Sequence, residues 1–202
     1  FYLLHGLSDD YSAWQRRTRI EWYVRNLPLI VVMPDGFRSF YTDAHAGPAY
    51  ARYMLEDVLG FIEQTFPVIR RRSGRCIGGL SMGGYGSLRL ALARPDLFVS
   101  ATSHSGAFHV ISRFPPSVIK EEEGNRIFGP HPAGSAHDIL AWVRKHRRRG
   151  VRLPKLRLDC GTAAPRLGEN RKFHSRLSAL RVSHEYEEYP GVGHYAGDQA
   201  YR

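Results

Sequence analysis

The residues best placed to do chemistry are Gly79-Leu80-Ser81-Met82-Gly83, a Gly-x-Ser-x-Gly pentapeptide preceded by apolar Cys76-Ile77 and followed by a helix-like run. A strand that turns sharply into a helix puts the serine at the apex of the turn. Glycines flank it because two backbones come close in so tight a turn. The free N–H groups and the dipole of the helix N-terminus favour negative charge at that point. The chemistry that fits is acyl transfer through a serine nucleophile, in which an oxyanion develops there. The pentapeptide alone is also compatible with a phosphate-binding turn. Its continuation argues otherwise: there is no Gly-Lys-Ser/Thr, and Gly84 to Ala93 reads as a buried helix that Arg94-Pro95-Asp96 stops.

A serine needs a base. The chain has 10 histidines, and His194 is singled out by position. It closes Pro190-Gly191-Val192-Gly193-His194 just after a strand-like segment, and a histidine late in the chain is what this kind of elbow uses. The bland alternative is a surface-loop histidine. The oxyanion would be held by two backbone N–H groups, from Met82 after the serine and from Leu7 in the early loop His5-Gly6-Leu7. His5 reads as a histidine whose ring braces that loop. Cys76 and Cys160 lie in strand-like runs and read as buried free thiols, with no disulfide framework and no cysteine nucleophile.

These residues need a frame that brings them together. Strand-like and helix-like segments alternate. Strands are expected at Phe1–Leu4, Leu29–Met33, Arg75–Gly79, Phe98–Ser105, Leu156–Cys160 and His184–Tyr189. Helices are expected from a Thr18–Glu21 capping box through Val24, over Pro48–Thr65, after the elbow, from an Asp138 cap to Lys145, and over Glu169–Leu180. The Pro48–Thr65 pattern puts Tyr50, Met54, Leu55, Val58, Phe61 and Ile62 on one side. Such alternation predicts βαβ units and a three-layer α/β sandwich with a mostly parallel sheet covered on both faces. Ligands in such sheets bind beyond the C-terminal strand ends, where Ser81, His5-Gly6, Gly161 and His194 can converge. One domain over 1–202 is expected, with 108–137 as a cap or loop insertion that sets specificity.

Composition is that of an ordinary globular chain of 202 residues, with 43% hydrophobic and 24% charged residues. No apolar run approaches the ~20 residues needed to span a bilayer. Net charge is +10, with clusters at Arg70-Arg71-Arg72 and Lys145 to Arg149. Both fall where helices end or loops begin, and no nucleic-acid motif accompanies them, so nucleic-acid binding is not the expected main function. Anionic substrates would still be attracted. Phe1 to Leu4 reads as the middle of a strand without an initiating Met, so an incomplete N-terminus is expected and targeting cannot be read.

Tyr2-Leu3-Leu4-His5-Gly6, Met33-Pro34-Asp35-Gly36, the elbow through Gly86, Ser105-Gly106-Ala107, Asp159-Cys160-Gly161-Thr162 and Pro190 to His194 together resemble the esterase D, tributyrin esterase and S-formylglutathione hydrolase group. That group is in turn similar to feruloyl and acetyl xylan esterases and to mycolyltransferases. The resemblance runs in order over nearly the whole chain. It implies an α/β-hydrolase fold, a small ester or thioester substrate, and no metal or organic cofactor. It carries over Ser81 as nucleophile, His194 as base, and Leu7 and Met82 as oxyanion donors.

Where the resemblance expects an acid after Gly-Thr, the chain has Gly161-Thr162-Ala163-Ala164, so Ala164 stands at the acid position. Asp159, within a strand, and Glu169, beyond the loop, are the nearby carboxylates. The group also has strands before Phe1 and a helix after His194, so truncation at both ends and an exposed apolar sheet surface are expected. Three readings are open: a serine carboxylesterase, an impaired member kept for binding, or an acyltransferase. Oligomeric state is not legible.

Overall fold

A computed structural model describes residues 1–110 and 114–195. Five strands form one parallel sheet in the spatial order β1 to β5: Tyr2–Leu4 (β1), Cys76–Leu80 (β2), Ser100–His104 (β3), Lys155–Gly161 (β4) and Glu185–Tyr189 (β5). Parallel neighbours need crossovers, which helices supply. Met82–Ala93 links β2 to β3, Ile139–Arg148 precedes β4, and Leu167–Ala179 links β4 to β5. Side chains alternate across a strand, so β1 sends Tyr2 and Leu4 to one face and Leu3 to the other. On the first face, Leu4, Ile77, Ala101, Leu156 and Leu158 share the main core with Leu88, Val143, Phe173 and Leu177 from the helices. On the second, Leu3 and Leu80 pack with Trp14 of the short helix Ala13–Arg17. The result is the expected three-layer arrangement.

Most expected elements are present within one or two residues, and Asp138 caps its helix by accepting the Leu140 and Ala141 N–H groups at 2.9 and 3.2 Å. Cys76 and Cys160 are free. The basic residues Lys145 to Arg148 fall in the last turn of Ile139–Arg148, where the dipole favours cations.

Four expectations are corrected. Leu29–Met33 is not a buried strand: only Val32 bridges to Tyr2, and Leu29 and Ile30 are exposed. The run does dock on β1, with the Val32 N–H donating to the Phe1 carbonyl and the Leu3 N–H to the Val32 carbonyl, both at 2.8 Å. Too few successive pairs form to make a ladder.

The helix expected over Pro48–Thr65 runs from Tyr50, and its middle, Tyr53–Val58, is π-helical. A wider turn inserts an extra residue and rotates the helix beyond it, so Phe61 lands on the exposed side and not with Met54 in the core. The Thr18 box is partial: its Oγ1 accepts the Ile20 N–H at 3.2 Å, but Glu21 reaches Gln15 rather than closing the box. Finally, the second sheet face is not apolar throughout. Over β4 and β5 it carries Arg157, Glu185 and Glu187, and the two glutamates pair with Arg157. Within 108–137, Glu121–Phe128 is helical, opened by Glu121, Glu122 and Glu123 where the dipole favours acids; residues 111–113 of that segment lie outside the described residues.

The turn after β2 is what positions the site. Ser81 has φ 57° and ψ −111°, a conformation that costs a non-glycine residue of order 1–3 kcal/mol and persists only when its surroundings impose it. They do: the Ser81 N–H donates to the His104 carbonyl at 2.9 Å, and its own carbonyl accepts the Tyr85 and Ala107 N–H groups at 3.0 Å each. The glycines have the steric role their spacing predicts. A methyl at Gly79 would stand 2.6 Å from the Gly83 carbonyl, and one at Gly83 would overlap the Leu4 carbonyl oxygen and sit 2.7 Å from that of His5. Backbone cannot move aside as a side chain can. Gly83→Ala is therefore expected to destabilise the fold by about 1–3 kcal/mol, read as a lower urea midpoint, whereas Gly168→Ala, in open space on a helix, should be neutral or stabilising.

Candidate active site

Ser81, His194 and Leu7, distant in sequence, line one open cleft of about 720 Å³ above the C-terminal strand ends. Ser81 is 4% exposed, so the cleft reaches it through a narrow approach. Met82, the first residue of the following helix, is fully buried. Among the described residues, neither the Leu7 nor the Met82 N–H has a backbone partner. The loop that carries Leu7 is pinned by His5, a buried ring that donates Nδ1–H to the Gly6 carbonyl at 2.8 Å and accepts the Gly36 N–H at Nε2 at 2.8 Å. With both nitrogens occupied, His5 braces the turn, as the sequence suggested.

His194 is brought in by a clasp between two loops. The chain after β4 and the chain after β5 exchange the bonds Thr162 N–H to Tyr189 carbonyl at 2.9 Å, Ala163 N–H to Val192 carbonyl at 3.0 Å, and Gly191 N–H to Thr162 Oγ1 at 2.8 Å. Gly161 makes the approach possible, because any Cβ there would overlap the Val192 carbonyl. Gly191 turns the chain with φ 72°. Among the described residues, no hydrogen bond joins Ser81 to His194, and the buried Nδ1 of His194 has no partner.

Among the described residues, neither carboxylate considered from the sequence, Asp159 nor Glu169, is paired with the ring. Ala164 lies buried in the clasped loop, its N–H donating to the Gly161 carbonyl at 3.1 Å. Asp159 faces the other way and holds His104 Nδ1 at 2.8 Å. Glu169 does not swing in. Its Oε1 accepts from Arg166 at 2.8 Å, while its Oε2 accepts the Phe108 N–H at 2.8 Å and lies 3.5 Å from His109. The charge near His194 is instead a cation. Burial, and after it the Arg166 charge, push the imidazole down to about 4, so it is neutral near pH 7.

Lys120 and Glu123 come from the 108–137 segment expected to set specificity, whereas Ser8, Arg38, Arg166 and Tyr195 carried no sequence signal. Arg38 grips Glu123 through two bonds of 2.7 and 2.9 Å and reaches Ser8 with a third, tying the early loop to the helix Glu121–Phe128. Only folding brings such residues together, so no local pattern announces them. Among the described residues, no group of three or more His, Cys, Asp or Glu side chains is arranged to hold a metal ion, and no helix is long and apolar enough to cross a membrane.

A strained serine at a strand-to-helix turn, sharing a cleft with a late-loop histidine at the end of a parallel sheet, is the arrangement of an α/β-hydrolase. Over residues 1–200 the chain matches the putative esterase family, and it belongs to that family. It is 32% identical over 202 residues to an acetyl esterase of Caldicellulosiruptor saccharolyticus, covering 96% of this chain and 76% of that one. Among solved structures it resembles a substrate-bound fluorophosphonate-binding serine hydrolase F of Staphylococcus aureus, with a TM-score of 0.88, 33% identity and coverage of 99% and 79%. An S-formylglutathione hydrolase of the same organism is similar at a TM-score of 0.83, 32% identity and coverage of 96% and 77%. A diacylglycerol acyltransferase/mycolyltransferase of Mycobacterium tuberculosis is 31% identical over 166 residues, 71% of this chain and 48% of that one. The chain is thus a serine ester hydrolase of the α/β-hydrolase fold, acting on a small-molecule ester.

The loop clasp yields a prediction independent of activity. In an NMR titration, the His194 ring should titrate near pH 4. Ala164→Asp should move it up to or above the ordinary value of about 6.5, because a carboxylate favours imidazolium. An unmoved titration would show that a side chain at 164 does not reach the ring.

Proposed function

We propose that this protein is a serine carboxylesterase or thioesterase for small acyl groups, working through an acyl-enzyme on Ser81 with His194 as base and no acid behind it. The observation that carries the reading is that Ser81, His194 and Leu7 line a single cleft. The Ser81 hydroxyl attacks the substrate carbonyl as His194 takes its proton through Nε2, the Nδ1 edge being buried. The Leu7 and Met82 N–H groups, with no backbone partners, receive the oxyanion. His194 then returns the proton to the leaving group, and water repeats the sequence to release the acid. Small acyl esters and thioesters are both suggested by the relatives' names, an acetyl esterase and an S-formylglutathione hydrolase. We assign 108–137 as a cap over the site, on the ground that Pro116, Val118, Lys120 and Glu123 wall the cleft.

An acid normally orients the base and stabilises its charged form, and disabling it lowers kcat by ~10⁴. With Ala164 in that place, the proposed pair is a slow one. The likeness to a mycolyltransferase favours a second reading, in which an alcohol replaces water in the deacylation step. An acceptor alcohol added to the assay distinguishes them: accumulation of the transferred ester in place of free acid selects the transferase.

Four outcomes are expected. A fluorophosphonate should add to Ser81 in a peptide-resolved mass spectrum; no adduct, or an adduct on another serine, overturns the assignment. Turnover of p-nitrophenyl acetate should vanish in Ser81→Ala, and a well-folded wild type without turnover would make the chain a binding member of the family. Ala164→Asp should raise kcat by up to ~10⁴. The base must be neutral to accept the proton, so activity falls as pH drops through its pKa. That acid limb should lie near pH 4 in the wild type and shift upward in Ala164→Asp.

A further inference from the structure

Arg166 is the one residue whose position the hydrolytic reading leaves unexplained. It lines the cleft with Ser81 and His194 although its side chain is only 13% exposed. A guanidinium beside the base works against imidazolium, so nothing in the proton transfer calls for it. Yet it is held firmly. Nη1 donates to Glu169, whose side chain is 6% exposed and whose second oxygen is already taken by the Phe108 N–H. The guanidinium carbon lies over the Phe114 ring, 5.9 Å from its centroid. Among the described residues, Nε and Nη2 have no protein partner, and neither is a fully buried unpaired atom. Arg presents five donors in a rigid fork, and here one is spent on a buried carboxylate while others remain for a ligand.

The rest of the cleft shares this polarity. Its charged residues are Arg38, Lys120, Glu123 and Arg166. Arg38 and Glu123 neutralise each other through a bidentate pair. Lys120 is left with its ammonium unpaired among the described residues and exposed at the same wall. The two remaining cations face a cleft in a chain of net charge +10.

Resting on the reading of Ser81 and His194 as nucleophile and base, we propose that the alcohol or thiol part of the substrate carries a carboxylate, bound by the free edge of Arg166 with Lys120 assisting. The side of the scissile bond is set by the neighbour. His194 must reach the leaving atom to return its proton, and Arg166 lines the same cleft as His194, so the group gripped by Arg166 is assigned to the leaving-group side. A carboxylate seated there also offsets the cation that disfavours imidazolium. A substrate of this class thereby supplies part of what the absent acid does not. The ligand chemistry is that of O- or S-acylated hydroxy or mercapto acids.

The test compares para-(carboxymethyl)phenyl acetate with para-tolyl acetate, which have leaving groups of similar electronic character. In the wild type, kcat/KM should favour the anionic ester, and the preference should shrink as salt is raised. Arg166→Gln should lower the ratio by roughly tenfold, Arg166→Lys by less, and Lys120→Gln by a smaller factor than Arg166→Gln. Should Arg166→Gln fail to fold because Glu169 is left buried, product inhibition of the wild type decides: para-hydroxyphenylacetate should inhibit competitively at lower concentration than para-cresol. A third ester, p-nitrophenyl hydrogen adipate against p-nitrophenyl hexanoate, places the anion on the acyl side. A preference confined to that pair overturns the leaving-group assignment. Equal ratios in wild type and variants, with Ser81-dependent turnover of the neutral acetate intact, overturn this proposal alone. No turnover of any ester together with no fluorophosphonate adduct on Ser81 overturns the hydrolytic reading itself.

Discussion

Backbone meets backbone at the elbow, and the rest of the site is arranged around that contact. Gly79 and Gly83 let β2 turn directly into its helix while the helix start lies against the Leu4 and His5 carbonyls of β1. The same turn fixes three things. It holds Ser81 in a left-handed conformation that its bonds to His104, Tyr85 and Ala107 impose. It starts a helix, buried from Met82 to Leu92, immediately after the serine. It also docks the loop of His5 and Leu7 beside the serine. A second contact of the same kind, Gly161 against Val192, holds the loop that carries His194. Both contacts rely on the absence of a side chain, so the geometry rests on sterics more than on any strong attraction.

Electrostatics around the proposed base run opposite to the usual arrangement. A serine hydrolase of this kind places a carboxylate behind its histidine, which orients the ring and offsets the positive charge it acquires. Here the position matched to that acid is Ala164, the nearby carboxylates Asp159 and Glu169 are committed to His104 and to Arg166, and among the described residues the charge acting on the ring is the Arg166 cation. The ring is kept neutral, which suits accepting a proton and does not suit keeping it. The clasp between the loops after β4 and β5 nevertheless survives intact. Ring position is therefore separable from ring electrostatics: backbone bonds provide the first, and the side chain at 164 decides the second.

The walls of the cleft are joined by charge. Arg38 connects the early loop, through Ser8, to Glu123 of the helix in 108–137. That helix starts with three acids at its positive end, so the same carboxylates serve the dipole and the bridge. Arg166 with Glu169 closes the far side. An ester entering the cleft meets polar walls, and the apolar core lies beneath the serine.

The sequence by itself determined the alternation of strands and helices and the elbow with its two glycines, and it offered Leu7, Met82 and His194 as candidates for the site. Each is a local pattern or a residue type at a fixed spacing, so each is legible without coordinates. Tertiary structure decided the rest. Whether Leu29–Met33 forms a strand depends on how many successive pairs it makes with β1, which periodicity does not encode. The π-helical turn at Tyr53–Val58 moved Phe61 out of the core by one residue's rotation, and no composition signal marks such a turn. Glu169 and Arg166 are three positions apart in sequence, yet the orientation of Glu169 depended on the Phe108 N–H and on His109, brought in by the chain after β3. Charge acts through space, and a chain read in one dimension does not say which charges fold to within reach of one another.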